Sequence, residues 1–197
     1  MSDLIALITI IIWPVVPLFW IPVHGLSRIF KRLGILTYVM PLITWLPLAY
    51  LIYSQRGFLL KFKVDFPMAL NTIGIIFLIA GTLLHIWTGK LLGLWGLVGL
   101  PEISTKIRGG LITVGPFAVV RHPTYLAHTV MFFGIFLITE TAAVGIITLL
   151  DFVLVNAVII PLEDRELLKR FGEDYKKYKE KVPPFFPSPV LNKILKG

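Results

Sequence analysis

Five runs of residues with almost no charge, 4–22, 35–53, 66–87, 124–139 and 142–160, leave this chain few ways to fold. At about 1.5 Å per helical residue, the first three and the last can each cross about 30 Å of hydrocarbon. Inside a bilayer every backbone N–H and C=O must find its partner within the protein, so runs of this length become helices. Hydrophobic residues make up 56% of the chain and charged ones 15%, against roughly 25% charged in soluble domains. A core of this size cannot hide so much apolar surface, and the excess faces lipid. The expected fold is all-α: a polytopic membrane helix bundle of about five transmembrane helices, in one membrane-embedded domain over residues 1–197. Its first hundred residues are the less diagnostic part, and residues 101–197 are the part expected to hold a cofactor.

The details of the runs carry further expectations. Residues 124–139 and 142–160 are separated only by Glu140 and Thr141, which reads as a helical hairpin with a short first arm. Residues 4–22 have neither a basic segment before them nor a small-residue cleavage site, so a removed signal peptide is not expected. Pro14, Pro17, Pro41 and Pro47 predict kinks, tolerated where neighbours satisfy the freed carbonyls. Residues 91–100 are apolar but too few to span; with Gly93, Gly96 and Gly99 they read as an interfacial or re-entrant segment.

Charge sets the orientation. With five spans, all but three of the nineteen Lys and Arg fall on one side, including Arg28, Lys31, Arg32, Lys90, Lys106, Arg108 and Arg121; Arg56, Lys61 and Lys63 fall on the other. The positive-inside rule then puts the C-terminus in the cytoplasm. The net charge of +8 meets anionic headgroups, with no need for nucleic acid. The absence of cysteine excludes disulfides, thiolate metal ligands and thiol catalysis. Beyond Pro161, apolar Leu167, Leu168, Phe171, Tyr175 and Tyr178 recur at helical spacing among charges, which predicts an amphipathic cytoplasmic helix from Leu162, ended by Val182-Pro183-Pro184.

The candidates for chemistry gather on that side. Arg121-His122-Pro123-Thr124-Tyr125 stands at the mouth of the fourth run, where Pro123 suits a first helical turn and backbone N–H groups can meet an anion; the plainer reading is a set of interfacial anchors. Glu163-Asp164 follows the fifth run, where positive-inside logic would place Lys or Arg, and makes a seat for a cationic ligand or simply complements a helix dipole. Gly109-Gly110-Leu111-Ile112 allows close backbone approach to a planar ligand, or is a turn. No G-x-G-x-x-G follows a strand, so a Rossmann site is not supported. His24, His85 and His128 lack ligand spacing, and no metal is expected. Asp151, in mid-span, would cost roughly 2.5–3.5 kcal/mol if charged; it is expected to pair with Asn71, His85, His128 or Asn156 as structural glue.

In order, Gly115-Pro116-Phe117, Arg121-His122-Pro123-Thr124-Tyr125, a helical hairpin, Glu163-Asp164, Phe171-Gly172 with Tyr175 and Tyr178, and Val182-Pro183 resemble the isoprenylcysteine carboxyl methyltransferase family and its relatives, the phospholipid methyltransferases among them. The resemblance covers roughly residues 109–187. It implies S-adenosylmethionine as cofactor, in a pocket lined by His122, Pro123, Thr124 and Tyr125. It further implies Glu163 at the amino or sulfonium end, and Gly109, Gly110, Leu111, Ile112 and Phe117 nearby, with Leu111 and Ile112 by the adenine. Glu102 is a candidate for the ribose hydroxyls, by analogy with other nucleoside sites. The acceptor implied is lipophilic and comes from the bilayer, as the carboxylate of a prenylated cysteine or a similar molecule, with Arg121 first and Arg165 second as candidates to orient its head. Two departures stand out: Phe117 replaces a usual Tyr, and residues 153–162 lack an Arg that prenylcysteine members carry. An NADPH-dependent lipid or sterol reductase, which shares a similar C-terminal half, and a non-catalytic membrane scaffold are the alternatives.

Overall fold

The computed structural model describes residues 1–104, 106 and 109–186. Among these the regular elements are all helical, with one isolated antiparallel bridge between Lys63 and Thr141. Four helical stretches are long and apolar enough to cross a membrane, Ser2–Gly25, Ser27–Ser54, Met68–Ile103 and Ala142–Phe171, and apolar Pro123–Thr139 is a shorter fifth. The protein is therefore an integral membrane helix bundle. Leu42, Ile43, Tyr50, Ile76, Leu83 and Leu149, among others, point outward, as a lipid-facing surface requires.

The first stretch is α1 (Ser2–Ile12) and α2 (Val15–Gly25), parted at Trp13-Pro14. Pro14 and the break after it free helix carbonyls, and the indole of Trp45 donates to the carbonyl of Ile11 at 2.6 Å, so a neighbouring helix supplies the missing bond. The second stretch runs through α3 (Ser27–Leu33), a 3-10 turn and α4 (Val39–Ser54). Pro41 sits in the first turn of α4, where no intrahelical N–H is missed, and Pro47 is accommodated without a break. A short α5 (Arg56–Leu59) leads to α6 (Met68–Leu97). Residues 91–100 form no span of their own: they prolong α6 past a break at Gly93, whose φ of 68° and ψ of 169° only glycine adopts freely, and run into α7 (Leu100–Ile103).

α6 packs closely on α8 (Pro123–Thr139) because glycines line the contact. A Cβ on Gly134 would stand 2.7 Å from the carbonyl oxygen of Gly74, and one on Gly81 would stand 2.9 Å from that of Ala127. Small residues at such positions let backbones approach where no hydrophobic force drives helices together. The hairpin to α9 (Ala142–Leu154) turns at Glu140, a left-handed residue (φ 56°). Its side chain accepts from Asn71 Nδ2 at 3.1 Å, and Lys63 Nζ closes the same end on Asp3 Oδ1 at 2.5 Å and Thr141 Oγ1 at 2.9 Å.

Two expectations change here. Asp151 is buried as anticipated, but its partner is Trp13, whose indole donates to Oδ1 at 3.0 Å; the helix break at Pro14 brings that indole into reach. The amphipathic segment is not a separate helix from Leu162. A π turn over Val155–Ile159 widens the last span, relieving the clash of the Pro161 ring with the carbonyl four residues back, and α10 (Ile160–Phe171) continues it without interruption. Gly172 (φ 58°) then breaks to α11 (Glu173–Lys181). Beyond α11, residues 182–186 fold back on the bundle: Phe185 is buried with Tyr125, Val155, Ile159 and Ile160. Arg108, Pro187 and Gly197 lie outside the described residues.

Candidate functional site

α10 brings two adjacent carboxylates under the start of α8, where they take different work. Asp164 is buried and fully engaged. Oδ2 lies 2.9 Å from Arg121 Nη2 and 2.9 Å from Lys179 Nζ, Oδ1 lies 3.0 Å from His122 Nε2, and the Tyr175 hydroxyl donates to Oδ1 as well. It thus joins α8, α10 and α11. Glu163 faces the opposite ring nitrogen: its Oε2 lies 3.3 Å from His122 Nδ1, an ionic contact without hydrogen-bond geometry, and the side chain is 22% exposed. The His122 ring is held between two carboxylates. Burial works against its charge, but facing Glu163 and the bond to Asp164 outweigh burial and raise its pKa above the ordinary histidine value. Burial raises the hydroxyls of Tyr175, with the bond to Asp164 adding to it, and of Tyr178. Both stay protonated donors, Tyr178 to the carbonyl of Phe117 at 2.6 Å.

The docked tail caps the entrance to α8. The N–H groups of Arg121 and His122 donate to the carbonyls of Pro183 (2.8 Å) and Pro184 (3.1 Å), so those donors are taken. Pro123 has none, and the next N–H groups, of Thr124 and Tyr125, are the ones that helix geometry leaves without intrahelical acceptors. Arg121 is engaged through its terminal nitrogens, while its Nε is buried without a partner among the described residues. Besides Asp164, its Nη1 donates to the carbonyls of Val182 (2.5 Å) and Lys179 (3.2 Å), and its side chain is 5% exposed.

These groups line one side of a cavity of about 300 Å³ enclosed by α2, α6, α7, α8, α10 and α11. Of the residues singled out in the sequence, Glu102, Gly110, Leu111, Ile112, Phe117, Arg121, His122, Thr124, Tyr125 and Glu163 all reach it. Three do not. Gly109 turns the chain with φ 64° beside Pro101, Pro123 is buried in the first turn of α8, and Arg165 is exposed on the outer face of α10. The cavity also has walls that the sequence does not assign to a site: Arg170, His85, His128, Trp20, Tyr175 and Tyr178. Arg170 donates to Glu102 Oε1 at 3.0 Å and lies 3.4 Å from Glu166. Its other guanidinium nitrogens, Nε and Nη1, are buried without partners among the described residues. The sequence marks Tyr175 and Tyr178 only as apolar positions of a helix and as members of the ordered string, and it does not single out Arg170.

A helical membrane bundle with an internal cavity, charged at one end, defines the class: an integral membrane protein with a polar cavity among its helix ends. The chain belongs to the phospholipid methyltransferase family, whose profile matches residues 70–174. Among curated proteins it is 35% identical over 85 residues to the cobalt-zinc-cadmium resistance protein CzcN of Cupriavidus metallidurans, covering 43% of this chain and 39% of that protein. It is 29% identical over 119 residues to the nickel-cobalt-cadmium resistance protein NccN of Alcaligenes xylosoxydans xylosoxydans, covering 60% of this chain and 50% of that protein. The matched segments thus span half or less of these relatives. No solved structure matches the chain.

Proposed function

We propose that this protein transfers a methyl group from S-adenosylmethionine to a lipophilic acceptor drawn from the bilayer. The observation that carries the reading is the Glu163 carboxylate, 22% exposed at the wall of the cavity beside a helix N-terminus, with Oε2 3.3 Å from His122 Nδ1. A cofactor with an ammonium, a sulfonium and a carboxylate complements these groups: cationic centres for the side of Glu163 turned to the cavity, an anion for the N–H groups of Thr124 and Tyr125 or for the free nitrogens of Arg170. When bound, it supplies a methyl on a positively charged leaving group. Such a displacement asks the protein for alignment and exclusion of water.

A cavity of about 300 Å³ is at the small end of ligand sites, which favours a single nucleoside over the dinucleotide a reductase would hold. The resemblance implies the carboxylate of a prenylated cysteine as acceptor. Arg165 lies outside the cavity, and Arg121, tied to Asp164, serves in this reading as a positioning residue for the start of α8. Both curated relatives are named for metal resistance. Among the described residues no three His, Asp or Glu side chains gather as a metal site.

Calorimetry of the detergent-solubilised protein tests the cofactor. S-adenosylmethionine should bind and NADPH should not. Glu163→Gln keeps the size but removes a charge-assisted interaction of roughly 1.5–3 kcal/mol, so affinity should fall at least about tenfold. An unchanged affinity would return Glu163 to a partner of His122 alone, and NADPH binding in place of S-adenosylmethionine would overturn the assignment.

A further inference from the structure

Two imidazoles in the cavity have no part in the ion pairs around Glu163. His85 of α6 and His128 of α8 face each other with ring centroids 4.7 Å apart and planes tilted by 38°, and both line the cavity. Among the described residues His122 is the one histidine ring with a hydrogen-bonding or ionic partner, and His85 Nδ1 is buried with none. His128 lies six residues past His122, about 9 Å farther along the axis of α8. It lies four past Thr124, on the face that Thr124 turns to the cavity. Phe132 flanks its ring, and Leu83, Ile86 and Trp87 beside His85 are exposed on the lipid-facing surface. The cavity therefore has two unlike ends: carboxylates and guanidinium at the membrane boundary, and, deeper, a pair of imidazoles in apolar surroundings next to lipid.

A buried polar group without a partner calls for an explanation, and a ligand that supplies the partner is one. A neutral imidazole carries one donor and one acceptor nitrogen. Two adjacent rings can hold an oxygen from one and receive its proton on the other. With no carboxylate beside them they do not suit an ammonium, and with no fixed positive charge they do not suit a carboxylate.

We propose that His85 and His128 form the acceptor end of the site and that the acceptor is a lipophilic molecule bearing an acidic hydroxyl, of phenol or enol type. The inference rests on the methyl-transfer reading and exchanges the carboxylate that the resemblance implies for a hydroxyl. The acceptor oxygen bonds to the methyl carbon as the sulfur–methyl bond breaks, its electron pair passing to sulfur. The hydroxyl proton moves to the acceptor nitrogen of one imidazole and leaves later to water. A positioned base of this kind contributes about 10²–10⁴-fold.

The test uses the full chain in detergent, S-adenosylmethionine, and three acceptors: a long-chain alkylphenol, a fluorinated alkylphenol already ionised at neutral pH, and N-acetyl-farnesylcysteine. The native protein should methylate the alkylphenol. His85→Gln and His128→Gln keep a hydrogen-bonding amide but no base. At least one should lower kcat for the alkylphenol about 100-fold or more at neutral pH, leave the fluorinated phenol within a few-fold, and bind S-adenosylmethionine by calorimetry as the native protein does. Equal losses for both phenols, or no loss, would reduce the pair to packing. Methylation of the farnesylcysteine alone, with both variants fully active, would overturn the acceptor class. Failure of the native protein to bind the cofactor would remove the underlying reading instead.

Discussion

At the scale of single residues, Glu163 and Asp164 show how neighbours in sequence part company in chemistry. Asp164 has four partners and serves as a joint, whereas Glu163 meets His122 and lines the cavity. His122 touches both, and its raised pKa makes stability depend on pH in a defined direction. The protonated ring is favoured in the folded state, so its contribution is fully present below the unfolded value of about 6.5 and is lost as pH rises through the higher folded value. In thermal unfolding without cofactor, the gap between native protein and His122→Gln should be widest below about pH 6.5 and narrow above it. A gap that widens toward alkaline pH would mean the ring is neutral in the fold. Part of this site could be read from sequence. His122, Tyr125 and Glu163 stand in an ordered string, and an acidic pair beneath an apolar span contradicts the usual charge placement. Arg170, His85 and His128 could not be so read, because each looks ordinary on its own helix and gains meaning only from what faces it. The Trp13–Asp151 bond escaped for a similar reason, since an indole in an apolar run is counted as apolar although it has a proton to donate.

At the scale of elements, the spans were legible because lipid demands apolar side chains all around a helix, and a run without charge is hard to mistake. Their joints were not. The continuation of the last span through Pro161 depends on a π turn that no residue type announces, and the α6–α8 contact depends on which glycines meet. That contact carries its own prediction. A methyl at Gly134 would stand 2.7 Å from both the carbonyl oxygen of Gly74 and the amide nitrogen of Leu78, all backbone, so Gly134→Ala forces the helices apart. Overpacking of this kind costs about 1–3 kcal/mol, and the midpoint of thermal unfolding in detergent should fall accordingly. Gly145→Ala meets only the ring of Phe136, at 2.7 Å, which can turn aside. Equal losses from the two substitutions would show that the close approach of α6 and α8 does not limit stability.

At the scale of the molecule, the path alternates between two ends. Asp3, Lys63, Thr139 and Thr141 meet at one, and Lys31, Glu102, Glu166 and Arg170 are linked at the other. Five passes of the bilayer account for this alternation. Combined with the distribution of Lys and Arg, it supports a site opening to the cytoplasm and an N-terminus outside. In this cysteine-free chain, Ser2→Cys and Glu180→Cys should react with an impermeant thiol reagent from opposite faces of sealed vesicles. Reaction from the same face would require an even number of passes.

The strap from Val182 to Phe186 has a bearing on how the protein comes into being. The carbonyls that hold Arg121 belong to residues made 58 and 61 positions after it, and Pro183 and Pro184 cap the start of α8 in the same way. A ribosome releases these residues only once every span has already been threaded into the bilayer. Until then the first turn of α8 lacks its cap and Arg121 lacks the carbonyls that hold it. In a half-made chain anchored in the membrane these contacts are missing, and they arrive in one late step, when the strap folds back onto a helix completed long before it.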